Sequence, residues 1–359
     1  MGNGCRPLRT RARTAPLAAT LRPMLNEPTC TSTSHPHRSG PMLTFSTDGL
    51  PAKDRFDHWV EVRGKQLFGV TIELEAARRL DFEGRFSAVA IGGATLAEMH
   101  ASTYHVSRTE ADIERLPSDS LCIAEQVRGP GWMDIGKDRI RAVTNSTLVI
   151  SHSNSPYAAI PARTDGFHFR ALKIPLAGRE GLAEGARNLE HEPLAADLWL
   201  TKLIAAGFAA LVQQGPRIAD PNAAVTHLGQ LALLSRGRGA PGSPESRAAL
   251  HFGQHHAARQ ILLQNLFRPD LSPALVAEML GVSVRQIHLL FEPTGESFSR
   301  TLTAMRLDEA RKQLLHDAVH PVADIAFACG FESLATFYRV FRRAYGMAPG
   351  DLRAAHRLQ

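Results

Sequence analysis

One short pattern of residues occurs twice in the last third of the chain, and it restricts the fold of that part more than any other feature. In the first copy Ala277 is followed four residues later by Gly281 and ten residues later by Ile287. In the second copy, about fifty residues on, Ala326 and Gly330 keep the four-residue step. A small residue lets two helices cross closely, and glycine adopts the left-handed conformation that a tight turn requires. Each copy therefore predicts two helices joined by a tight turn, the helix-turn-helix unit.

The residues around both copies supply the helix ends that such units need. Ser272 is suited to cap the first helix, with Pro273 in its first turn, and Ser283 is suited to cap the second. In the second copy the inward apolar residue is Phe337, which comes one position later than in the first copy. We therefore expect a slightly longer turn there. Between the copies, apolar residues at helical spacing predict one further helix over 302–315.

The earlier part of the chain has a different pattern. Residues 42–180 begin with helical spacing over 52–67 and continue as short β-type runs broken by Gly, Pro and Asp, which is typical of an antiparallel sandwich or barrel. The expected strands lie at 67–74, 82–92, 95–106, 120–127, 131–135, 146–151 and 167–174. Residues 181–235 return to helical spacing, and residues 236–247 have the composition of a flexible linker. The fold class expected is α+β multidomain, with an antiparallel β sandwich or barrel flanked by helices and an all-α domain over 248–359.

The net charge of +6 gives no evidence of nucleic-acid binding by itself. Residues 1–41 contain six arginines and one acid, whereas the rest of the chain holds 35 basic and 34 acidic residues. The excess charge thus belongs to a segment without amphipathic spacing, which we expect to be a disordered tail. A claim of DNA binding must depend on local pattern and not on bulk charge.

Cysteine spacing and hydropathy exclude several other classes of protein. The cysteines lack the spacing of a zinc site or of a disulfide framework; they are Cys5, Cys30, Cys122 and Cys329. No run of about 18 apolar residues predicts a transmembrane helix. We expect a cytoplasmic, nucleoid-associated protein with no membrane partner.

The C-terminal part of the chain resembles the AraC/XylS family of bacterial transcription regulators. The resemblance is strongest over residues 250–359. Its most specific residues are Ala326-Phe327-Ala328-Cys329-Gly330-Phe331-Glu332-Ser333, then Phe337, Phe341, Arg342, Arg343, Tyr345-Gly346 and Ala348-Pro349. Residues 306–311 look like the connecting helix of the family. One departure is Pro293, which we expect to end the first recognition helix early, and another is His288, where the family pattern favours a permanent charge.

The resemblance also covers the earlier segments, at lower specificity. Residues 42–180 look like the strand-rich, cupin-like sensor domain that some members carry, and residues 194–235 look like the helices that often pair two subunits. The resemblance implies a regulator, more commonly an activator, that binds double-stranded promoter DNA, responds to a small organic effector, forms a homodimer and contacts RNA polymerase.

Helical geometry separates the residues expected to face DNA from those expected in the core. Val284, Ile287 and Phe291 are expected inward in the first recognition helix, and Phe337, Val340 and Phe341 in the second. The predicted DNA-binding residues are Arg285, Gln286, His288, Leu289, Arg300, Arg306, Ser333, Thr336, Arg339, Arg342 and Arg343. Within this set, we expect base contacts from Arg285, Gln286, Thr336 and Arg339 and phosphate contacts from Arg300, Arg306, Arg342 and Arg343.

Aromatic residues of the strand-rich segment are candidates for an effector pocket, although each also fits a core position. They are Phe86, Tyr104, Trp132, Phe167 and Phe169, with Tyr157 beside them. The alternative is a metal-dependent, cupin-like enzyme fused to a DNA-binding module, since His100, His105, His152 and His168 lie in the same segment. No His-x-His pair occurs there and no nearby Glu completes a compact set, so we expect no metal, no cofactor and no enzymatic activity.

Overall fold

The computed structural model describes residues 42–136, 138–316 and 319–357. These residues divide into two compact units. One unit contains the residues up to Pro175 together with Asn188–Pro193, and the other contains Leu176–Arg187 together with the residues from Leu194 onward. The predicted disordered tail, residues 1–41, lies outside the described residues.

The first unit is built mainly from strands. Its helices are α1 (Ala52–Trp59), which continues as π-helical turns over Val60–Phe68, and α2 (Glu110–Arg115). Its strands are β1 (Leu43–Ser46), β2 (Thr71–Glu73), β3 (Gly84–Ile91), β4 (Ala94–Ala101), β5 (His105–Arg108), β6 (Ser120–Arg128), β7 (Gly131–Asp134), β8 (Ile140–Val143), β9 (Thr147–His152), β10 (Tyr157–Pro161), β11 (Phe167–Pro175) and β12 (Glu192–Pro193).

Two antiparallel sheets form the frame of this unit. The larger sheet has the strand order β1-β3-β4-β11-β6-β9-β12, and the smaller has the order β2-β5-β10-β7-β8. Side chains from both sheets line a common interior cavity. The predicted antiparallel β domain with flanking helices is therefore confirmed.

The first helix covers the core at one end of the larger sheet. The rings of Phe56 and Trp59 pack on Phe82, with centroids 5.3 and 5.7 Å away. Strand β3 passes directly beneath Trp59, because a Cβ at Gly84 would lie 2.6 Å from the indole. Glycine is therefore needed at this close approach. The π-helical continuation of α1 then carries Arg63 into the interior, where only 5% of the residue is exposed.

The second unit is helical. Its helices are α3 (Glu180–Ala186), α4 (Trp199–Gln214), α5 (Pro221–Ser235), α6 (Pro244–Gln264), α7 (Pro273–Leu280), α8 (Val284–Phe291), α9 (Phe298–His316), α10 (Val322–Ala328), α11 (Leu334–Tyr345) and α12 (Pro349–Arg357). The helix predicted over 302–315 is α9, and its expected inward residues Leu307, Ala310 and Leu314 are buried.

Helix α6 packs against the preceding helices α4 and α5 and against the later helix α8. Gly253 lets it approach α4 and α5, since a Cβ there would lie 2.9 Å from Leu203 and Leu231. Further along, the His255 Nδ1 lies 2.9 Å from the Leu290 carbonyl oxygen of α8. The helix begins at Pro244, capped by the Ser243 hydroxyl, inside the segment 236–247 that the sequence predicted as a linker.

Among the described residues, no single helix is long and apolar enough to cross a membrane. The pair α7 and α8 passes a length and composition test together, but the two helices are bent by 102°.

Candidate nucleic-acid interface and interior cavity

Helices α7 and α8 form the first helix-turn-helix unit, and they cross at 102°. The Ser272 hydroxyl caps α7, and Gly281 has a φ of 71° in the turn. The backbone N–H of Val282 donates to the Ala277 carbonyl oxygen at 3.0 Å, which closes the turn. The Ser283 hydroxyl then caps α8 by accepting from the backbone of Gln286 at 3.1 Å.

Helices α10 and α11 repeat this turn. Gly330 has a φ of 82°, and the N–H of Phe331 donates to the Ala326 carbonyl oxygen at 3.1 Å, as in the first helix-turn-helix. The next helix begins at Leu334 after the capping Ser333, so one more residue separates the glycine from the helix than in the first unit. The predicted longer turn is confirmed.

In α8 the inward face is made by Ile287, Leu290 and Phe291, all fully buried. Arg285, His288 and Leu289 are exposed, as predicted. Val284 was predicted to face the core, and that prediction is wrong, since 43% of it is exposed. It is the first residue of α8, and the buried stripe begins only one turn later.

Gln286 is only half exposed, because it is tied to α6. Its Nε2 donates to the Gln254 Oε1 at 3.1 Å. This side chain, which the sequence predicted to contact a base, thus already has one hydrogen-bond partner inside the protein. A base contact by Gln286 would have to break or share this hydrogen bond.

Helix α11 presents the more basic surface. Phe337 and Phe341 are fully buried and Val340 is half-buried. The exposed residues are those predicted from the sequence, namely Ser333, Thr336, Arg339, Arg342 and Arg343. This helix has 12 residues and α8 has 8, and Pro293 lies in the short turn that follows α8.

The exposed arginines that the sequence predicted to contact DNA have no acidic partner within the described part of the chain. They are Arg285, Arg300, Arg339, Arg342 and Arg343, and none of them forms an ion pair with a described residue. Their guanidinium groups are therefore available to an external anion or base edge. On α11 the spacing of three and four residues brings Arg339, Arg342 and Arg343 onto adjoining faces.

Arg306 does not belong to this surface, which corrects its prediction as a phosphate contact. It is 9% exposed, and its Nε donates to the Leu266 carbonyl oxygen at 3.1 Å. A second nitrogen donates to the carbonyl oxygen of Arg268. Burial lowers the pKa of Arg306. Its donors join α9 to the segment after α6, so the residue has a structural role.

The strand-rich compact unit contains an interior cavity of about 210 Å³ between its two sheets. Four of the five predicted effector residues line it, namely Tyr104, Trp132, Phe167 and Phe169, and so does Tyr157. Trp132 lies at the rim, with 50% of its surface exposed. Phe86 is not a lining residue, because it is buried behind Phe68, with the two ring centroids 5.7 Å apart.

Three basic side chains reach this cavity, and sequence reasoning missed all of them. They are Arg63, Arg108 and Lys173. Arg108 donates to the carbonyl oxygens of Phe68, Gly69, Leu116 and Ser153 at 2.6–2.9 Å, which fixes the surrounding loops. The alternation of side chains along β5 could have indicated that the charged side chain of Arg108 faces the interior. Arg63 lies at helical spacing from the buried Phe56 and Trp59, and that spacing was the signal that its side chain faces inward.

A separate cluster lies on the other face of the larger sheet. The His168 Nε2 lies 2.7 Å from the Glu98 Oε1, and the His100 ring stacks on His168 at 3.8 Å. The expectation that no Glu lies near the histidines is therefore wrong. These three side chains have the spacing of a metal site. Arg170 also donates to the Glu98 Oε1 at 2.8 Å, so that oxygen is already neutralised by an arginine.

Comparisons with known proteins agree with the geometry of the second unit. A family described as a helix-turn-helix domain matches residues 276–355, which contain α8 to α11. The transcriptional activator NphR of a Rhodococcus species is 27% identical over 283 residues, which are 74% of this chain and 80% of that protein. The HTH-type transcriptional regulator GlxA of Rhizobium meliloti (strain 1021) is 35% identical over 118 residues, 32% of this chain.

The extent of the similarity differs among these proteins. The chain spans only 36% of the length of GlxA. The crystal structure of the AraC-like transcriptional activator CuxR matches 80% of this chain and 100% of its own, at 18% identity and a TM-score of 0.45. The relatives found by sequence are named as transcription regulators.

Proposed function

We propose that this chain, whose residues 276–355 match a helix-turn-helix family and whose C-terminal part resembles the AraC/XylS regulators, regulates transcription by reading promoter DNA with two recognition helices under the control of an effector. A DNA-binding regulator is the function to which the family match and the relatives point. The residue assignments, the effector, the subunit pairing and the sign of regulation are the parts that we add.

The observation that carries this proposal is the pair of matched turns. Both units close with the same hydrogen bond from the residue after the glycine back to the alanine, at 3.0 and 3.1 Å. Each turn is followed by a capped helix whose outer face bears an arginine without an acidic partner among the described residues. Such a helix fits the major groove, where its first turns meet base edges.

The positions on each helix assign the contacts. Arg285 lies in the first turn of α8 and has the forked donors that match guanine. On α11, Thr336 and Arg339 are proposed to meet base edges, and Arg342 and Arg343, in the last turn, to meet phosphates. His288 and Leu289 complete the first surface, while Arg300, near the start of α9, and the capped backbone at Ser333 are proposed phosphate contacts.

Two recognition helices in one chain imply a long binding site. Successive major-groove faces are about 34 Å apart, so one chain would cover roughly two turns of DNA. The two recognition helices differ in sequence, so the DNA site bound by one subunit is asymmetric. We further propose that the protein pairs as a homodimer, contacts RNA polymerase and acts as a cytoplasmic activator on nucleoid DNA.

The effector is proposed to bind in the cavity of the first unit. The cavity lies between two sheets and is lined by aromatic rings, which is the usual form of a small-molecule site. A ligand can change DNA binding only if it binds one state of the protein more tightly than the other. The expected readout is therefore a ligand-dependent change in affinity for the promoter.

The DNA part is tested by titrating the full chain against DNA upstream of its own gene and against a scrambled duplex, at two salt concentrations. We expect a preference of about a hundredfold or more, because specific sites usually exceed non-specific DNA by about 10³–10⁷. Equal affinity for both duplexes at both salt concentrations would contradict the proposal.

Two arginine variants separate base contacts from phosphate contacts. We expect Arg339→Ala to lose about 1–3 kcal/mol of binding free energy and to relax the preference at one base position. We expect Arg343→Ala to weaken binding to all sequences alike and to lower the salt slope by about one. Arg217→Ala, which removes an exposed arginine outside both helix-turn-helix pairs, is the matched control. Loss of affinity without a change in base preference for Arg339→Ala would refute its assignment.

A further inference from the structure

We propose that Glu98, His100 and His168 bind a divalent transition-metal ion of the zinc type, on the face of the larger sheet that points away from the cavity. This site is separate from the cavity and from both helix-turn-helix pairs, and the function proposed above does not depend on it. The sequence alone predicted no metal here, because Glu98 and His168 are 70 residues apart in the chain and meet only in the folded sheet.

The pairing of two strands brings the three side chains together. His100 of β4 lies directly opposite His168 of β11, and Glu98 lies two residues earlier on β4, on the same face. Phe167 and Phe169, the chain neighbours of His168, line the cavity, so His168 points to the other side of the sheet. Residues paired across two strands have side chains close enough for one ion to contact both. The register of β4 and β11 therefore determines the cluster.

The distances between the possible ligand atoms are suitable for a small ion. The His168 Nε2 lies 2.7 Å from the Glu98 Oε1, and the His100 Nε2 lies 4.0 Å from the same oxygen. One ligand atom from each of the three residues lies within 4.8 Å of the others. Around a tetrahedral zinc ion, whose bonds are about 2.0–2.2 Å long, ligand atoms lie about 3.3 Å apart. Small rotations of the side chains would therefore bring all three residues to bonding distance.

His168 and Glu98 have the charge states that a metal ion requires. Burial lowers the pKa of His168, and the neighbouring His100 and Arg170 act in the same direction, so the ring is neutral at pH 7.5. Burial alone would raise the pKa of Glu98, but hydrogen bonds with Arg170 and His168 lower it, so the group is a carboxylate. Two imidazoles and one carboxylate form a ligand set that favours zinc and its neighbours over magnesium and calcium.

Arg170 leaves one oxygen of Glu98 available. It donates to the Glu98 Oε1 at 2.8 Å, and its Nη1 lies 3.6 Å from the Glu125 Oε2, so two carboxylates share its charge. The Glu98 Oε2 forms no hydrogen bond with a described residue. This second oxygen can bind the ion while Arg170 holds the first. Outer partners of this kind commonly orient the carboxylates that bind metals.

An ion at this site would be accessible from solvent and would link β4 to β11. The side chain of His100 is 53% exposed, and an open groove runs beside His100 and Glu98. Three protein ligands leave a fourth position for water, as in other open zinc sites. Because the ligands come together only in the folded sheet, the bound ion stabilises the folded state over the unfolded one.

The experiment measures the melting temperature of the full-length protein, freed of metal with EDTA and then dialysed, by differential scanning calorimetry at pH 7.5. Isothermal titration calorimetry first gives the dissociation constant for Zn²⁺. At about a hundred times that concentration we expect Zn²⁺ to raise the melting temperature by about 5–10 °C. Mg²⁺ at the same concentration should have no effect. Absence of a rise, or an equal rise with both ions, would overturn the proposal.

The temperature shift also separates this site from adventitious binding. Zinc that binds the folded and the unfolded chain equally well does not change the melting temperature, because only preferential binding to the folded state stabilises it. Histidines or cysteines that bind zinc without belonging to a folded site therefore contribute heat to the titration but no shift in the scan.

Three substitutions test whether the ion lies at the cluster. His100→Gln and His168→Gln each remove a ligand nitrogen, and Glu98→Gln removes the charge but keeps an oxygen that accepts from Arg170. Each should lower the affinity for Zn²⁺ at least about tenfold and reduce the temperature shift. His105→Gln, at an exposed position on β5 of the same unit, should change neither.

The exposed position of His100 guards against a misfolded variant. Surface substitutions change stability little, so the melting temperature of metal-free His100→Gln should lie within about 2 °C of the wild-type value. A loss of the zinc effect in this variant then reports the loss of a ligand. Unchanged zinc affinity in both His100→Gln and His168→Gln would refute the site.

Discussion

At the scale of single residues, the two turn glycines have the same conformation and different surroundings. Both have a positive φ, 71° at Gly281 and 82° at Gly330. A Cβ at Gly281 would meet nothing within 4 Å. A Cβ at Gly330 would lie 2.9 Å from the Arg306 Nε and 2.9 Å from the Leu266 carbonyl oxygen. Gly330 is therefore required both for its conformation and for the space that it leaves.

This difference gives a matched pair of substitutions. We expect Gly281→Ala to lower the free energy of unfolding by about 1–2 kcal/mol, the cost of a left-handed alanine. We expect Gly330→Ala to lower it by about 2–5 kcal/mol, because overpacking against Arg306 and the Leu266 backbone is added to that strain. Urea denaturation of the full chain measures both. Equal losses would contradict the close packing of Arg306 under the second turn.

The buried arginine of the first unit predicts an unusual stability change. Replacing Arg63 by methionine removes a cation whose Nη1 has no partner, and it keeps an unbranched apolar side chain. We expect the melting temperature of the ligand-free protein to rise by about 2–4 °C, the shift for about 1 kcal/mol in a domain of this size. Differential scanning calorimetry checks this, with Arg108→Met as the opposite case. Arg108→Met should destabilise, since it abandons four carbonyl oxygens.

The residue-level predictions from sequence succeeded where a helix face settles the outcome. Ile287, Phe337 and Phe341 are buried, and most of the predicted DNA-facing residues are exposed, because a 3.6-residue period fixes both sides of a helix. Arg306 and Gln286 differ because their outcome depends on a partner far away in sequence. Both find that partner on α6 or just after it, and no local pattern reveals such a contact.

At the scale of elements, α6 carries two adjacent half-buried histidines, and the first of them contacts the first recognition helix. The His255 Nδ1 lies 2.9 Å from the Leu290 carbonyl oxygen, and the His256 ring packs on Phe252. Burial lowers the pKa of His255 to about 4, and burial together with the neighbouring His255 and Arg259 lowers the pKa of His256 to about 3. Both rings are therefore neutral in the folded protein at neutral pH.

The contact of α6 with α8 should consequently weaken in acid. Above the ordinary pKa of 6.5 neither state binds a proton, so the histidines make no pH-dependent contribution. As the pH falls from 6.5 towards about 4 and 3, the unfolded chain binds protons that the folded chain refuses, and stability is lost. We expect a loss of about 1–2 kcal/mol per histidine at pH 5 relative to pH 7.5.

Urea midpoints at the two pH values measure this loss. We expect His256→Leu to reduce the difference between pH 7.5 and pH 5. An identical pH difference in the wild type and in His256→Leu would contradict the assignment.

Element boundaries in the first unit show what local patterns leave undetermined. The strands predicted over 120–127 and 167–174 match β6 and β11, since both are long and apolar. Of the strand predicted over 67–74, only Thr71–Glu73 form a strand, because the π-helical turns continue to Phe68 and Gly69, with a φ of 60°, ends them. Short strands β8 and β10 were missed, since their residues are half exposed and lack clear alternation.

At the scale of the whole molecule, the connecting helices and both DNA-reading units belong to the same compact unit. The sequence placed the start of the DNA-binding domain at residue 248, after a linker. In the structure α6 begins at Pro244, and its small residues Ala249 and Gly253 face away from solvent. The domain boundary at 248 stays a prediction, and the packing of α6 indicates how to test it.

Two truncated proteins provide that test. We expect a protein of residues 194–359 to melt at least about 5 °C higher than one of residues 248–359, because the shorter form removes the Ser243 cap and exposes the buried face of α6. Calorimetry of both forms measures the difference in melting temperature, and promoter binding shows whether both helix-turn-helix pairs remain folded. Equal melting temperatures would mean that the DNA-binding domain is independent of α4 and α5.

The extra residue in the second turn has a consequence for anyone who exchanges recognition helices between the two units. Ile287 and Phe337, the buried anchors, each come four residues after the capping serine, at Ser283 and Ser333, but at different distances from the turn glycine. Transplanting α11 by counting from the glycine would rotate every side chain by about 100° and put Thr336 in place of the anchor. Counting from the serine keeps the anchor inward, so a chimera aligned on its caps is the one that would carry the DNA preference of the donor helix with it.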